Sequence, residues 1–345
     1  MRGFVFAIVG LIALAASQAA GFEVEEERDF PSLADESAVL SILSTTDSTV
    51  FTPLILAYQQ ANPTVRVTYT VASTTEVYSA LHEEKAAFDL AVSSAMDLQM
   101  KLANDGDALS HQSAMTSALP AWARWRDQLF GFSQEPVVLL VSQKALAGLN
   151  LPETRADLIA LMRENPDRFR GRIGTYDPTR SGAGYLFATQ DARQSDTFWR
   201  LSEVMGNLDT KLYTGTSDMI AGLLVGDIDM AYNALGSYAA ASLAPGGDVQ
   251  IIELQDFTHV LLRTALIPAQ ARDPDLGGGF LDFLLSNAGQ TLLEQTAGLP
   301  RINEAALAAG SHLRPIRIDP GLLVFVDPLN RQRFLREWTA AVIQP

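Results

Sequence analysis

The sequence contains no cysteine, which excludes disulfide bonds, thiol nucleophiles, thiolate metal sites and a lipid-modified cysteine. It has only four histidines, and none of them forms the HExxH spacing that indicates a zinc site. A G-x-S-x-G nucleophile elbow and a phosphate-binding P-loop are both missing. Because no nucleophile, base or metal motif is present, the sequence argues against an enzyme and indicates no cofactor and no metal site.

Basic residues are scarce compared with acidic ones. The chain has 25 Lys and Arg against 40 Asp and Glu, a formal net charge of −15. A chain this acidic is poorly suited to binding nucleic acid or an anionic membrane surface, so neither is expected as a partner. Hydrophobic residues make up 48% of the 345 positions, which allows a sizeable core. This length is typical of about two domains.

The N-terminus has the pattern of a targeting segment. Arg2 precedes an apolar run at 4–16, and small residues end that run before Ala20. The run is shorter than the roughly 20 residues that a membrane-spanning helix requires. We therefore expect a cleaved signal peptide at 1–19, a mature protein in the periplasm and a flexible N-terminal tail at 20–36.

The rest of the chain repeats the order strand, hydroxyl-rich turn, helix. Apolar or alternating runs at 39–43, 65–71 and 88–92 predict strands, and amphipathic helices follow the first two of them. This order predicts an α/β fold with mixed, largely parallel sheets, in which ligands bind near the carboxyl ends of strands. The glycine triplet at 277–279 is interpreted as a flexible turn before a helix at Phe280–Leu285.

Two apolar stretches predict crossings between two lobes. The stretch at 130–142 is long for one strand and contains Pro136, and a second long stretch occupies 249–268. Another α/β set lies between them, which predicts an inserted lobe and a hinge. The expected division is 37–135 with 257–345 for lobe 1, and 136–256 for lobe 2.

The turns after the strands are rich in groups that bind anions. Hydroxyls and free N–H groups at helix N-termini stabilise negative charge, Arg180 supplies a guanidinium, and Gly182 allows close backbone approach. Such hydroxyls also serve as ordinary helix caps, so their recurrence in both lobes is what favours a ligand site. Asp47 is expected either to cap its helix or to accept a ligand hydroxyl. The candidate ligand-binding residues are Thr45, Thr46, Asp47, Thr74, Ser93, Ser94, Arg180, Ser181, Gly182, Tyr213, Thr216, Tyr232 and Asn233.

Several of these segments together resemble a known family. The segments are 44–47, 134–136, 177–185 and 226–233, together with the signal peptide. They resemble the solute-binding components of ABC importers, in particular the type II periplasmic binding proteins grouped with ferric-ion, sugar-phosphate and phosphoglycerate receptors. The resemblance implies two α/β lobes that close on a ligand held between them, with a membrane permease and ATPase as partners.

The ligand class follows from a departure from that family. Ferric members typically use two adjacent tyrosines late in lobe 2, whereas this chain has Tyr232-Asn233, with Tyr238 further on. Together with Arg180, this departure favours a small anionic organic ligand: a phosphorylated sugar, a phosphoglycerate-like molecule or a carboxylate. A ferric-ion-binding protein and a ligand sensor for a membrane histidine kinase are the alternatives. We expect a monomer.

Overall fold

The computed structural model of the chain describes residues 21–243 and 246–343, so the predicted signal peptide lies outside the described residues. No helix in this part of the chain has both the length and the apolar composition needed to cross a membrane. The strands are β1 Glu26–Phe30, β2 Ala38–Ser44, β3 Val65–Val71, β4 Leu90–Ser93, β5 Ala108–Leu109, β6 Arg124–Trp125, β7 Leu129–Ser142, β8 Ile173–Tyr176, β9 Lys211–Tyr213, β10 Met230–Leu235, β11 Val249–Ile252, β12 Thr258–Pro268 and β13 Leu313–Pro315. The helices are α1 Ser48–Ala61, α2 Thr74–His82, α3 Met96–Asp105, α4 Ala114–Ser117, α5 Arg155–Glu164, α6 Pro166–Phe169, α7 Gly182–Gln194, α8 Thr197–Asn207, α9 Thr216–Leu224, α10 Gly236–Ser242, α11 Pro274–Leu285, α12 Asn287–Ala297, α13 Glu304–Ala309, α14 Leu323–Val326 and α15 Pro328–Val342.

The strands confirm the predicted two-lobed α/β fold. They follow the order β1-β3-β2-β4-β12-β7-β10-β8-β9. In lobe 1, β2 runs parallel to β3 and β4, and in lobe 2, β8 runs parallel to β10 and β9. The long antiparallel strands β7 and β12 join the lobes, because β7 pairs first with β12 and then with β10 and β11. This mixed pattern places the carboxyl ends of the parallel strands of both lobes at the cleft between them.

The core of lobe 1 confirms that the helix predicted after the strand at 39–43 is amphipathic. Phe51, Leu54, Ile55 and Tyr58 of α1 are all buried in one cluster with apolar side chains of β2 and β3. These positions recur at helical spacing, so one face of α1 packs on the sheet while the opposite face is exposed to solvent. Such burial of four large side chains stabilises the lobe by several kcal/mol, at roughly 1.5–3 kcal/mol for each fully buried side chain.

The segment expected to be a flexible tail is partly a strand. β1 pairs antiparallel with β3, from Glu26 opposite Val71 to Phe30 opposite Val67. Phe30 is buried, whereas the charged side chains before it are exposed. The prediction of a flexible tail over 20–36 is wrong for this stretch, because edge-strand backbone hydrogen bonds and one apolar anchor do not depend on the overall charge of the segment.

The glycine triplet lies inside a helix rather than in a turn. A Cβ atom at Gly277 would lie 2.0 Å from the carbonyl oxygen of Asp89, and one at Gly278 would lie 2.5 Å from the ring of His111. The absence of side chains lets α11 approach the backbone beside β4 more closely than any other residue would allow. Tertiary packing therefore overrides the weak helix propensity of glycine.

The last helix does not pack with lobe 1, to which the sequence assigned residues 257–345. Phe334, Trp338 and Val342 of α15 form a buried cluster with Tyr185 of α7 and Phe198 of α8, which belong to lobe 2. The short helix α14 that precedes it contacts α3 of lobe 1. The chain therefore passes between the lobes a third time near its C-terminus. The other lobe boundaries stay predictions.

Candidate functional site

A cavity of about 330 Å³ lies in the cleft between the lobes, and we call it the cleft cavity. Lobe 1 and the crossing strand β12 contribute Glu25, Thr45, Asp47, Ser73, Thr74, Ser94 and Arg263. Lobe 2 contributes Tyr176, Ser181, Thr214, Thr216, Ser217, Asp218 and Tyr238. The lining is therefore mostly hydroxyl and charged groups, which suits a polar solute rather than an apolar one.

Among the described residues, six helices begin at the cleft cavity: α1, α2 and α3 from lobe 1, and α7, α9 and α10 from lobe 2. Ser73 caps α2 by accepting from the N–H of Glu76, and Ser181 caps α7 by accepting from the N–H of Gly184. The first residues of α1 and α9 have no side-chain cap. The N-terminal ends of helices carry partial positive charge, so their convergence favours a negatively charged group in the cavity.

Arg263 forms the buried floor of the cavity and is only 1% exposed. Its Nε donates to Glu135 Oε1 at 2.7 Å, and its Nη1 donates to Thr46 Oγ1 at 2.6 Å. Its Nη2 is buried with no hydrogen-bond partner among the described residues. Burial alone would lower the pKa of Arg263, but the Glu135 carboxylate and Tyr238 raise it, so the guanidinium stays charged. The cavity thus contains a fixed cation with unused donor capacity.

Three carboxylates, from Glu25, Asp47 and Asp218, also line the cavity. Burial, followed by the charges of Asp47 and Asp218, raises the pKa of Glu25. Burial also raises the pKa of Asp47, against the effects of Ser217 and Arg263. Asp47 stands at the N-cap position of α1 but makes no capping hydrogen bond, so the expectation that it caps its helix is wrong. Its carboxylate instead accepts a long, 3.4 Å hydrogen bond from Ser217 of lobe 2.

The two lobes touch at the edge of the cavity. The N–H of Gly182 in lobe 2 donates to Thr74 Oγ1 in lobe 1 at 2.8 Å. Next to it, the Thr75 hydroxyl donates to the carbonyl oxygen of Arg180 at 3.4 Å. A Cβ atom at position 182 would lie 2.8 Å from Leu98 Cδ1 and 3.0 Å from Thr74 Oγ1. Glycine at 182 therefore allows this close approach of α7 to lobe 1.

The cavity brings together only part of the set that the sequence predicted. The candidates that line it are Thr45, Asp47, Thr74, Ser94, Ser181 and Thr216. Two more lie directly behind or beside it: Thr46, which holds Arg263, and Gly182, which contacts Thr74. Ser93 is buried and accepts from the N–H of Ala95. The remaining candidates, which are not in the lining, are Arg180, Tyr213, Tyr232 and Asn233.

Arg180 is exposed, and its side chain does not reach the cavity lining, although its backbone lies at the contact between the lobes. The turn that carries it places Ser181 and Gly182 inward instead, and both are buried. A motif shows which residues are adjacent in sequence. It does not show which side of the turn each side chain occupies.

Tyr232 and Asn233 belong to a different buried cluster inside lobe 2. Arg155 Nε donates to Tyr232 Oη at 2.7 Å, and Tyr232 Oη and Asn233 Nδ2 both donate to Asp191 Oδ2 at 2.8 Å. Burial alone would raise the pKa of Asp191, but Arg155 and His259 lower it to about 2. These hydrogen bonds satisfy buried charges and join α5, α7 and β10, which is a structural role.

Sequence reasoning missed Arg263, Glu135, Tyr176 and Tyr238, of which all but Glu135 line the cavity. A signal for the first two was present, because Glu135 is the only charged residue of the stretch at 130–142 and Arg263 is the only Lys, Arg, Asp or Glu at 258–268. Lys, Glu, Arg and Asp are rarely fully buried unless they are paired, so two such charges predict a buried ion pair. Among the described residues, no group of three His, Asp or Glu side chains is arranged to hold a metal ion.

Comparison with known proteins gives a consistent result. A family model described as bacterial extracellular solute-binding protein matches residues 40–297. The substrate-binding protein of an ABC transporter from Agrobacterium tumefaciens is 33% identical, with a TM-score of 0.89 over 94% of this chain and 100% of that chain. No curated protein matches the sequence.

Two more distant structures share the fold. AfuA from Actinobacillus pleuropneumoniae, solved with fructose-6-phosphate bound, is 15% identical with a TM-score of 0.72 over 90% of this chain and 100% of that chain. The apo ferric ion-binding protein A from Pasteurella haemolytica is also 15% identical, with a TM-score of 0.69 over 90% of this chain and 99% of that chain. At this identity the two structures show the fold alone.

Proposed function

The chain belongs to the bacterial extracellular solute-binding protein family, and we propose that it captures a small organic anion in the cleft cavity and delivers it to an ABC importer. The Agrobacterium tumefaciens relative, at 33% identity, is itself the substrate-binding protein of an ABC transporter. Residence in the periplasm, through a cleaved signal peptide at 1–19, is part of this proposal. A permease at the membrane is the expected partner.

The buried Nη2 of Arg263 is the observation that carries the ligand assignment. A buried donor without a partner costs about 1–3 kcal/mol, and more when it is charged. An anionic group in the cavity would accept its hydrogen bonds and lie among the helix N-termini that border the cavity. We assign Arg263 as the anchor, with hydroxyl or N–H contacts from the predicted residues that line the cavity: Thr45, Thr74, Ser94, Ser181 and Thr216.

The cavity volume limits the size of the solute. At about 330 Å³, it is at the lower end of the roughly 300–1,000 Å³ typical of ligand pockets. This volume suits a small metabolite such as a sugar phosphate or a hydroxylated carboxylic acid, and it is too small for a peptide of several residues. The polar lining supports the same choice, since such ligands need hydrogen bonds over most of their surface.

The solute is captured by closure of the two lobes about the hinge. The solute first binds the surface of one lobe, and lobe 2 then closes over it and excludes water. Arg263 lies on crossing strand β12, and its partner Glu135 lies on crossing strand β7, so the anchor is fixed where the lobes join. The Thr74–Gly182 hydrogen bond forms only when the lobes meet, so it favours the closed state.

The test is calorimetry with ligand-free protein against phosphate monoesters, carboxylates and Fe(III). The matched variant is Arg263→Met combined with Glu135→Gln, because removing Arg263 alone would leave Glu135 buried without a counter-charge. We expect an organic anion to bind the wild-type protein, and the double variant to stay folded and lose about 1.5–3 kcal/mol of affinity, or roughly 10- to 150-fold. Unchanged affinity in the folded double variant contradicts the role of Arg263.

Ferric-ion capture is a second candidate because Tyr176 and Tyr238 line the same cavity as Asp47. Burial raises the pKa of both tyrosines, so iron would have to displace protons from them. Binding of Fe(III) alone in the calorimetry would favour this candidate. A sensor role for a membrane histidine kinase requires the same closure, and loss of solute uptake on gene deletion distinguishes transport from sensing.

A further inference from the structure

We propose that the captured anion also carries a protonated amino group, which Asp47, Glu25 and Asp218 bind at the mouth of the cleft cavity. This inference rests on the proposed function, because it takes the anionic end of the solute to be at Arg263. It names the ligand class as a small zwitterion, with its two charges at opposite ends of the cavity.

The charges of the cavity are arranged by depth. Arg263 is buried at the floor, Asp47 is half-buried above it, and Glu25 and Asp218 are exposed at the rim. Among the described residues that line the cavity, Arg263 is the only Lys, Arg or His, and its charge is already balanced by Glu135. Arg263 therefore offsets the charge of Asp47 only in part, and Glu25 and Asp218 have no further cation in the lining.

The local backbone structure does not depend on the side chains of Asp47 and Glu25. Asp47 does not cap α1, and its one side-chain hydrogen bond in the cleft, from Ser217, is long at 3.4 Å. Glu25 is fixed through its backbone, since its N–H donates to the carbonyl oxygen of Val71 at 2.8 Å, which leaves its side chain free to face the cavity. Both carboxylates are thus placed by the fold and available to a ligand.

A cationic group on the ligand would stabilise the charged forms of these carboxylates more than a ligand hydroxyl would. The pKa values of Glu25 and Asp47 are raised by burial and by neighbouring carboxylates, so each carboxylate is destabilised in its charged form. A ligand hydroxyl donates one hydrogen bond and leaves that repulsion in place. An ammonium group donates up to three hydrogen bonds and also offsets the charge. A phosphate dianion without an amino group meets three like charges at the mouth.

The experiment compares probes that differ only in the amino group. The pairs are glucosamine-6-phosphate against glucose-6-phosphate, and β-alanine against 3-hydroxypropionate, measured by calorimetry on the full mature chain. We expect the amino member of at least one pair to bind about tenfold or more tightly than its hydroxyl partner. Asp47→Asn, which keeps the shape of the side chain, should reduce that ratio to near one.

The control variant is Asp209→Asn, which removes the same charge from an exposed loop of lobe 2. Asp209 pairs with Arg170 at the surface and has φ 52°, a conformation that asparagine adopts readily. This variant should keep the full amino preference, and unfolding curves of both variants check that the fold is intact. Retention of the preference in folded Asp47→Asn overturns the assignment of that residue.

The outcomes separate this inference from the proposed function. If the two members bind with equal affinity in every pair that binds, the zwitterion class is overturned while anion capture stands. If the hydroxyl member binds more tightly, the mouth carboxylates accept hydroxyls and the inference is again overturned. If no member of either pair binds and Fe(III) does, the proposed function fails and this inference fails with it.

Discussion

Replacing Gly182 with alanine tests whether the lobe contact is a closure contact. A Cβ atom at this position would lie 2.8 Å from Leu98 Cδ1 and 3.0 Å from Thr74 Oγ1, both in the opposite lobe. Normal separations of such atoms are about 3.5–4.0 Å, so either the Leu98 side chain must move or the lobes must shift apart by several tenths of an ångström. The clash exists only when the lobes meet, since both contacts cross the cleft.

The size of the effect follows from the cost of overpacking. Inserting one methyl group into a close contact costs about 1–3 kcal/mol, which here falls on the closed state alone. The affinity for the solute should therefore fall by roughly 5- to 150-fold. Gly182 is the first residue of α7, and alanine suits a helix better than glycine by about 0.5–1 kcal/mol. The free energy of unfolding of the ligand-free protein should thus stay equal or rise slightly.

Calorimetry measures the affinity, and urea unfolding without ligand measures the stability. Two further variants sharpen the result. Leu98→Ala combined with Gly182→Ala makes room for the methyl group and should restore part of the affinity. In Gly184→Ala the added Cβ lies 2.4 Å from Tyr176 Cβ within lobe 2, so this variant should destabilise the fold itself. Gly182→Ala with unchanged affinity, or with a large loss of ligand-free stability, refutes the closure argument.

Three further changes give distinct expectations. Burial raises the pKa of Asp97 to about 7, and its Oδ2 has no partner among the described residues. Between the unfolded pKa of about 4 and the folded value, the folded state holds a proton that the unfolded chain has released. The free energy of unfolding therefore falls as the pH rises, by at most about 4 kcal/mol. Asp97→Asn should remove most of this slope in urea unfolding measured from pH 5 to 8. Arg180→Ala should change the affinity for the solute by less than about twofold in calorimetry, because the side chain is exposed outside the cavity lining. Trp338→Ala should lower the free energy of unfolding by about 3–5 kcal/mol, because it leaves a cavity between α15 and lobe 2.

Each of these has a result that would contradict it. An unchanged pH slope in Asp97→Asn would mean that another group titrates over that range. A tenfold or larger loss of affinity in Arg180→Ala, about 1.4 kcal/mol, would place that guanidinium on the ligand. A change below about 1 kcal/mol in Trp338→Ala would mean that α15 contributes little to the core of lobe 2.

The regular part of the fold was predictable because its signals are local. The strand predicted at 65–71 matches β3 residue for residue, and the apolar face of α1 follows directly from helical spacing. The strand β1, the helical glycines of α11 and the docking of α15 were not predictable in this way. Each depends on a surface provided by a distant segment, and neither propensity nor charge reports it.

The same distinction between local signals and contacts with distant segments applies to the candidate site. Hydroxyl turns before helices are visible in the sequence, and six of the predicted residues line the cavity for that reason. Whether Arg263 or Arg180 reaches the cavity depends on strand pairing and on the direction of a turn. Arg263 reaches the floor because β12 lies beside β7, which places Glu135 within 2.7 Å of its guanidinium. No local motif encodes that neighbour.

The docking of α15 on lobe 2 also fixes an order of events during folding. Lobe 2 lies in the middle of the chain, but Tyr185 and Phe198 pack in part against Phe334 and Trp338 of the last helix. These contacts span well over a hundred residues, so they are among the slowest to form. During synthesis, lobe 2 therefore exposes an apolar patch until the last helix emerges, and a chain stopped before residue 328 keeps that patch permanently open to aggregation.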